Sequence, residues 1–336
     1  MLAVQWRRPG EPTEVAEVVE LDPPPSPGPG EAQLAPEYSP INPADLLRLE
    51  GRYGSTPIAL PAIAGGEGIA CVVAVGAEVA HVAPGDRVLI PLGRGCWRSL
   101  LNVPAAGLFA LPPGDSQQFA MLGINAPTAW QLLHGVVQLR SGDWIVQNAA
   151  ASAVGRLVIQ LAHRMGVHTI NIVRHAEQER DLRQLGADQV VVDGPALAER
   201  MRVDGRAPVR LGIDAVAGAA TGVLARTVAE GGTVVTYGLL SGEPCAVDAR
   251  DVVFRDIRLR GFWLARCLNA EPAAMKAMYA ELVHLVGEGH LRVPVAAVYE
   301  LADIGAALRH AQQPGRGGKV MLRIAAAAAR PLQGHA

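Results

Sequence analysis

A turn of small residues, NAAASAVG at 148–155, joins the apolar run WIVQNA (144–149) to the helix-like stretch SAVGRLVIQLAHRMG (152–166). A helix that starts straight after such a turn offers free backbone N–H groups and a positive dipole end, which suit a pyrophosphate. With Gly155 as the third glycine of a GxGxxG pattern, Ala150 and Ser152 take the first two places. An ordinary tight strand-to-helix turn reads the same way, and what favours a dinucleotide is the strand, turn, helix and second strand within about 30 residues. At the end of the second strand, HTINIV (168–173), an NAD site sets an acid against the ribose, whereas a 2′-phosphate calls for a cation. Arg174 stands there, and no acid follows until Glu177. A guanidinium grips phosphate through two parallel bonds, so the expected cofactor is NADPH. The plain alternative is a surface arginine in a loop.

The elements that must position these groups fall into two textures. Residues 1–120 carry short β-branched runs between Pro and Gly clusters: EVAEVVEL, DPPPSPGPG, GIACVVAVG, PGDRVLIPL. They predict an irregular, all-β first domain. Over 121–265 strands alternate with helices: 144–149, helix 152–166, 168–173, helix 177–187, 189–193, 211–216, 231–238 and 256–263. Parallel strands need crossovers, and helices supply them, so this is expected to be a doubly wound α/β domain. DIRLRGFW (256–263) alternates apolar and basic residues as an edge strand would. A helix near 271–288 and the runs VPVAAVYEL and GKVMLRI then resemble the first texture, so 266–325 is expected to return to the first domain. The tail 326–336 is low in complexity and expected to be disordered.

Composition narrows the function classes. Thirty cations against 32 anions leave a net charge of −2 with no like-charge run, which gives nucleic-acid or membrane-surface binding no support. No apolar run reaches the length of a membrane span, and the N-terminus lacks a signal-peptide core, so a cytoplasmic protein is expected. Cys71, Cys96, Cys245 and Cys267 form no CxxC, which suits reduced, packed thiols.

Seven ordered segments carry a resemblance: SPINPADLLRLEGRYG (39–54), GGEGIACVVAVG (65–76), PGDRVLIPLGRGCW (84–97), NAPTAW (125–130), GDWIVQNAAASAVGRLVIQLA (142–162), TINIVR (169–174) and FRDIRLRGFW (254–263). Together they resemble the zinc-independent 2-enoyl thioester reductases of the medium-chain dehydrogenase/reductase superfamily. The resemblance spans about residues 1–324. It implies a GroES-like catalytic domain, a Rossmann domain, a cleft between them, and a homodimer joined at Rossmann sheet edges. The implied activity is NADPH-dependent reduction of the double bond of an enoyl-CoA or enoyl-carrier-protein thioester. Tyr53, in EGRYG, matches the family's proton-donating tyrosine. Taken alone it would be a packed or surface tyrosine in a glycine-flanked loop.

The resemblance also assigns cofactor contacts to Asn125, to Ala151, Ser152, Ala153, Val154 and Gly155 of the turn, and to Arg174, His175 and Ala176. Tyr237, Gly238, Leu239 and Leu240, then Phe262, Trp263, Leu264 and Ala265, and finally Lys319, complete that set. Trp97 and Trp263 either flank the acyl or nicotinamide pocket or serve core and dimer packing. The chain departs from the family pattern in two places. Ala151 stands where the family has an asparagine, and the family's RxR after the second strand is RHA here, which leaves Arg174 with His175 or Arg180 as helpers. Arg250, Arg255, Arg258, Arg260 and Arg266 either meet substrate phosphates or form a solvated sheet edge.

The superfamily's zinc enzymes carry a GHE motif, a catalytic cysteine and a four-cysteine lobe. This chain has GGE at 65–67 and Asp45 near the cysteine position, so too few ligands for zinc are expected to converge. His81, His134, His163, His168 and His284 have no partner at ligand spacing, and Asp45 and Glu67 are expected to be fold-supporting hydrogen bonders. The rival enzyme reading is a quinone or enone oxidoreductase of the same superfamily. The rival from another class is a non-catalytic NADPH-binding protein.

Overall fold

The computed structural model describes residues 1–54, 58–108, 110–201, 207–267 and 272–324. It divides into two units, one made of 1–124, 283–288 and 294 onward, the other of 125–282 and 289–293. The textures of the sequence change near 120 and 266. The first unit ends close to the first of these points, whereas the return falls at 283, inside the helix Pro272–Gly287. That helix is continuous across the crossing, so residues 266–282 stay with the second unit, where Gln131 reaches the sulfurs of Met275 and Met278. The tail expected to be disordered lies outside the described residues.

In the first unit the long strand Glu31–Pro40 is the hub. It pairs antiparallel with Ile69–Val75, with Leu101–Pro104 and with Lys319–Arg323. Val295–Glu300 then lies parallel to Lys319–Arg323, so the C-terminal strands rejoin the N-terminal sheet. A three-stranded sheet of Leu2–Trp6, Glu17–Glu20 and Ala62–Ile63 adds to the unit. Val4, Leu34, Ile41, Trp97, Leu101, Leu308 and Leu322 are buried in its core. This is the expected GroES-like domain, and the fold is α/β as a whole.

In the second unit six parallel strands run, in spatial order, Gln189–Val192, His168–Val173, Trp144–Gln147, Val209–Asp214, Thr233–Thr236 and Arg258–Gly261. The central strands are buried on both faces, which explains their continuous apolar runs: Ile145, Val146, Ile170, Leu211, Ile213, Val234 and Val235 have no exposed surface. The chain starts at the middle strand, moves to one side, then crosses to the other. A sheet wound this way opens a crevice beyond the carboxyl ends of the strands on either side of the reversal. Arg258–Gly261 is the edge strand, and all four of its residues are exposed. Among the described residues no helix is long and apolar enough to cross a membrane.

Candidate functional site

In the second unit, the residues singled out around the turn gather beyond the carboxyl ends of the central strands. Ser152 caps the helix Ala153–Arg164, its Oγ accepting the Gly155 N–H at 3.1 Å. Its side chain also hydrogen-bonds with the Tyr237 hydroxyl, so the turn 151–155 and the segment 237–240 meet. Burial is the main reason the Tyr237 phenol is pushed well above its ordinary value. Two glycines are dictated by crowding. A Cβ on Gly155 would come within 2.6 Å of the Ala150 carbonyl oxygen, and one on Gly238 within 2.4 Å of that of Ala215. The backbone at both points is packed too closely for any side chain, as a dinucleotide turn requires.

A buried polar network that the sequence reading missed holds these strand ends together. The Asp214 carboxylate accepts from Asn148 Nδ2 at 2.7 Å, from the Val216 and Ala217 N–H groups, and from the Thr221 hydroxyl at 2.6 Å. Asn148 in turn accepts the Ala215 N–H at 2.8 Å. Gln147 ties the central strand to the helix start, donating to the Gly155 carbonyl at 3.0 Å and to Asn171 Oδ1 at 2.8 Å. Polar residues inside apolar strands were the available signal. Arg156 was also missed: its Nε donates to the Ala151 carbonyl at 3.1 Å and its guanidinium lies 3.9 Å from Asp181. It braces the turn where Ala151 has no polar side chain to contribute. Desolvation lowers the Arg156 pKa, so its charge is only partly compensated there.

Arg174, His175 and Ala176 follow the strand His168–Val173 and are all exposed. A hollow of about 790 Å³ beside them is lined by Ala176, Glu177, Glu179, Arg180, Arg183 and Gln184. Arg183 is already paired with Glu179 at 2.8 Å, whereas Arg174 and Arg180 have no ion pair or hydrogen bond among the described residues. Asn125 is buried at the start of the helix Asn125–His134. Leu239 and Leu240 are exposed, Trp263 is partly exposed with the Arg266 guanidinium 5.6 Å over its ring, Phe262 is half-buried, Leu264 is buried and Ala265 is exposed.

The first unit holds Tyr53, half-buried and followed by Gly54 in a left-handed conformation. Arg48, from the helix Pro43–Leu49, has its guanidinium carbon 4.8 Å over the Tyr53 ring. Nearby lies a buried charge cluster. Glu67 accepts from Asn42 Nδ2 at 2.6 Å and from the Ile124 N–H at 2.6 Å, and Lys319 donates to the Asn42 side chain and to the Ile41 carbonyl at 3.4 Å. Burial raises Glu67 to about 7, opposed first by the Lys319 charge, and lowers Lys319 to about 8, opposed first by Glu67. The Lys319 ammonium is thus spent inside the first unit. Trp97 has no exposed surface and donates from Nε1 to Ser39 Oγ at 2.9 Å, so its ring is part of the core here.

Comparison with known proteins agrees with this construction. Residues 28–113 match the model described as alcohol dehydrogenase GroES-like domain, and residues 153–283 the one described as zinc-binding dehydrogenase. The mitochondrial enoyl-[acyl-carrier-protein] reductase of Homo sapiens is 36% identical over 296 residues, covering 85% of this chain and 79% of the human one. The chain belongs to the medium-chain dehydrogenase/reductase superfamily, in its enoyl thioester reductase branch. It is therefore an oxidoreductase. Among solved structures, the Escherichia coli quinone oxidoreductase complexed with NADPH superposes with a TM-score of 0.86 at 24% identity, covering 96% of this chain and 100% of that one. The Etr1p/NADP/crotonyl-CoA complex does so with a TM-score of 0.83 at 23% identity, covering 96% and 99%.

The zinc implied by one of these descriptions does not fit the residues present. Gly66 has no side chain to ligate, both Glu67 oxygens accept protein hydrogen bonds, and Cys96 is a thiol donating to the Glu67 carbonyl, pushed up to about 12 by burial. No group of three His, Cys, Asp or Glu residues converges as a metal site among the described residues. NADPH does fit: a capped helix start, two crowded glycines and an Arg174 with no ion pair among the described residues suit its pyrophosphate and 2′-phosphate.

Proposed function

We propose that the protein is an NADPH-dependent, zinc-independent reductase that saturates the α,β double bond of a 2-enoyl thioester. The observation that carries this reading is Tyr53, a hydroxyl-bearing ring braced by Arg48 in the first unit of a chain 36% identical to an enoyl thioester reductase. NADPH, when bound, would supply the hydride for the substrate's β-carbon. As that bond forms, the double-bond electrons move toward the thioester oxygen, and the Tyr53 hydroxyl stabilises the growing charge and delivers the proton that ends on the α-carbon. The helix start at Ala153–Gly155 holds the pyrophosphate, and Arg174 pairs with the 2′-phosphate. Asn125, Tyr237–Leu240 and Phe262–Ala265 orient the rest of the cofactor, and Trp263 borders the acyl group.

The human relative is named for an acyl carrier protein, and the Etr1p complex holds crotonyl-CoA, which supports a CoA or carrier-protein thioester as the substrate. Likeness to a quinone oxidoreductase favours quinones or enones as the second reading. The deciding experiment is NADPH oxidation with crotonyl-CoA, longer enoyl-CoAs, a quinone and a simple enone. Turnover of the thioesters is expected. Quinone turnover without thioester turnover would establish the second reading, and cofactor binding without any turnover a non-catalytic protein. All four cysteines are free thiols, which suits a reducing compartment such as the cytoplasm. A homodimer is proposed through the edge strand Arg258–Gly261, whose unpaired backbone and 48%-exposed Leu259 invite a symmetry mate.

A further inference from the structure

We propose that Arg48 is a positioning residue for Tyr53, holding the phenol ring so that its hydroxyl points consistently at the substrate. The inference rests on the enoyl reductase reading given above. Tyr53 sits where the chain offers little restraint of its own. Gly51 and Gly54 on either side adopt positive φ angles of 72° and 78°; the backbone is tied to the helix through the Gly51 N–H on the Arg48 carbonyl at 3.0 Å and the Arg52 N–H on the Leu47 carbonyl at 2.8 Å, both before the ring. Glycine enlarges the conformational freedom of a segment, so a ring placed between two of them gains its orientation from side-chain contacts.

Arg48 is unusually well placed to provide one. It rides on the helix Pro43–Leu49, whose start is fixed by a reciprocal cap: the Asn42 N–H donates to Asp45 Oδ2 at 2.9 Å, and Pro43 occupies the first turn. Asn42 is itself held by Glu67 and Lys319, so the helix is anchored in the buried cluster. Asp45 lies three residues before Arg48, on the same face of the helix. Asp45 is buried, desolvation raises its pKa, and the largest opposing influence is the charge of Arg48. Both groups border Gly66, where a Cβ would lie 3.0 Å from Asp45 Oδ1 and 3.4 Å from Arg48 Nη1. The Arg48 guanidinium carbon lies 4.8 Å from the Tyr53 ring centroid, within the range of a cation–π contact. The Arg48 side chain makes no hydrogen bond or short ion pair among the described residues, so its guanidinium is not committed elsewhere in the fold. Hydrogen bonds thus link Lys319, Asn42 and Asp45, the charge of Asp45 attracts Arg48, and Arg48 lies over the phenol.

The test is a double-mutant cycle on the full-length protein with crotonyl-CoA and NADPH. Arg48→Leu is expected to lower kcat by roughly three- to tenfold, the scale of one lost cation–π contact, with KM and NADPH affinity little changed and the solvent isotope effect on kcat increased. Arg48→Lys, which keeps the charge, is expected to recover most of the loss. In a Tyr53→Phe background, where the ring remains but has no hydroxyl to aim, Arg48→Leu is expected to add almost nothing. If Arg48→Leu fails to fold, Arg48→Gln is read in the same two backgrounds. Equal fold losses in both backgrounds, or no loss in either, overturn the assignment of Arg48 while leaving the enoyl reductase reading standing. A wild-type protein that does not reduce crotonyl-CoA or longer enoyl-CoAs overturns that reading first, and this inference with it.

Discussion

Three side chains carry the most direct consequences. General acid catalysis is typically worth ~10² to 10⁴ in rate, so Tyr53→Phe should cut enoyl-CoA turnover at least about a hundredfold while NADPH affinity, measured by fluorescence titration, stays nearly the same. Arg174→Ala should weaken NADPH and leave NADH unaffected, because only the 2′-phosphate loses its charge-assisted bonds. Wild-type kinetics that are equal for the two cofactors would refute that assignment. Glu67 makes a thermodynamic prediction. Its folded-state pKa is raised from 4.5 to about 7, so between these values folding binds a proton and stability falls as pH rises. Lys319 acts in the opposite sense above about 8, where loss of its proton relieves the burial. Urea unfolding of wild type and Glu67→Gln should therefore diverge as pH rises through this window, with the wild type losing stability relative to the variant. Parallel curves would show that the carboxyl does not titrate in this window.

Among the elements, the turn 148–155 shows how far the sequence could be read. Its small residues and the apolar periodicity behind it pointed to a tight strand-to-helix turn, and the structure has one, between Trp144–Gln147 and the helix Ala153–Arg164 capped by Ser152. The alternation of strands and helices likewise identified a doubly wound sheet, because buried parallel strands leave long apolar runs. What stayed hidden depended on residues distant in sequence: Asp214 meeting Asn148, Lys319 meeting Asn42, and Ser152 meeting Tyr237. No local pattern records such meetings. The return point was also obscure, since the helix Pro272–Gly287 crosses between the units without a break in its periodicity. Ser152→Ala tests the turn as an element. It removes a cap worth roughly 1 kcal/mol together with the tie to Tyr237, so both thermal stability and NADPH affinity should fall, and Ser152→Thr should restore the cap.

At the scale of the molecule, the exposed edge of the six-stranded sheet is where the proposed homodimer would form. Phe254 is 76% exposed, and Val252 and Val253 beside it on the helix Ala249–Arg255 are exposed too, just before the edge strand. Leu259→Arg together with Phe254→Asp should convert a dimer to a monomer in sedimentation velocity; a wild type that is already monomeric at micromolar concentration would refute edge pairing. A different consequence comes from the strand Lys319–Arg323, which lies against Tyr38–Pro40. During synthesis the first unit cannot complete its sheet until residues 319–323 have left the ribosome, whereas the second unit has all its residues by 293. The second unit is therefore expected to fold first, while Glu31–Pro40 waits for its partner Lys319–Arg323. A nascent chain stalled after residue 318 should show a protease-resistant fragment from the second unit and a still-digestible N-terminal segment, with exposure to chaperones concentrated on Glu31–Pro40.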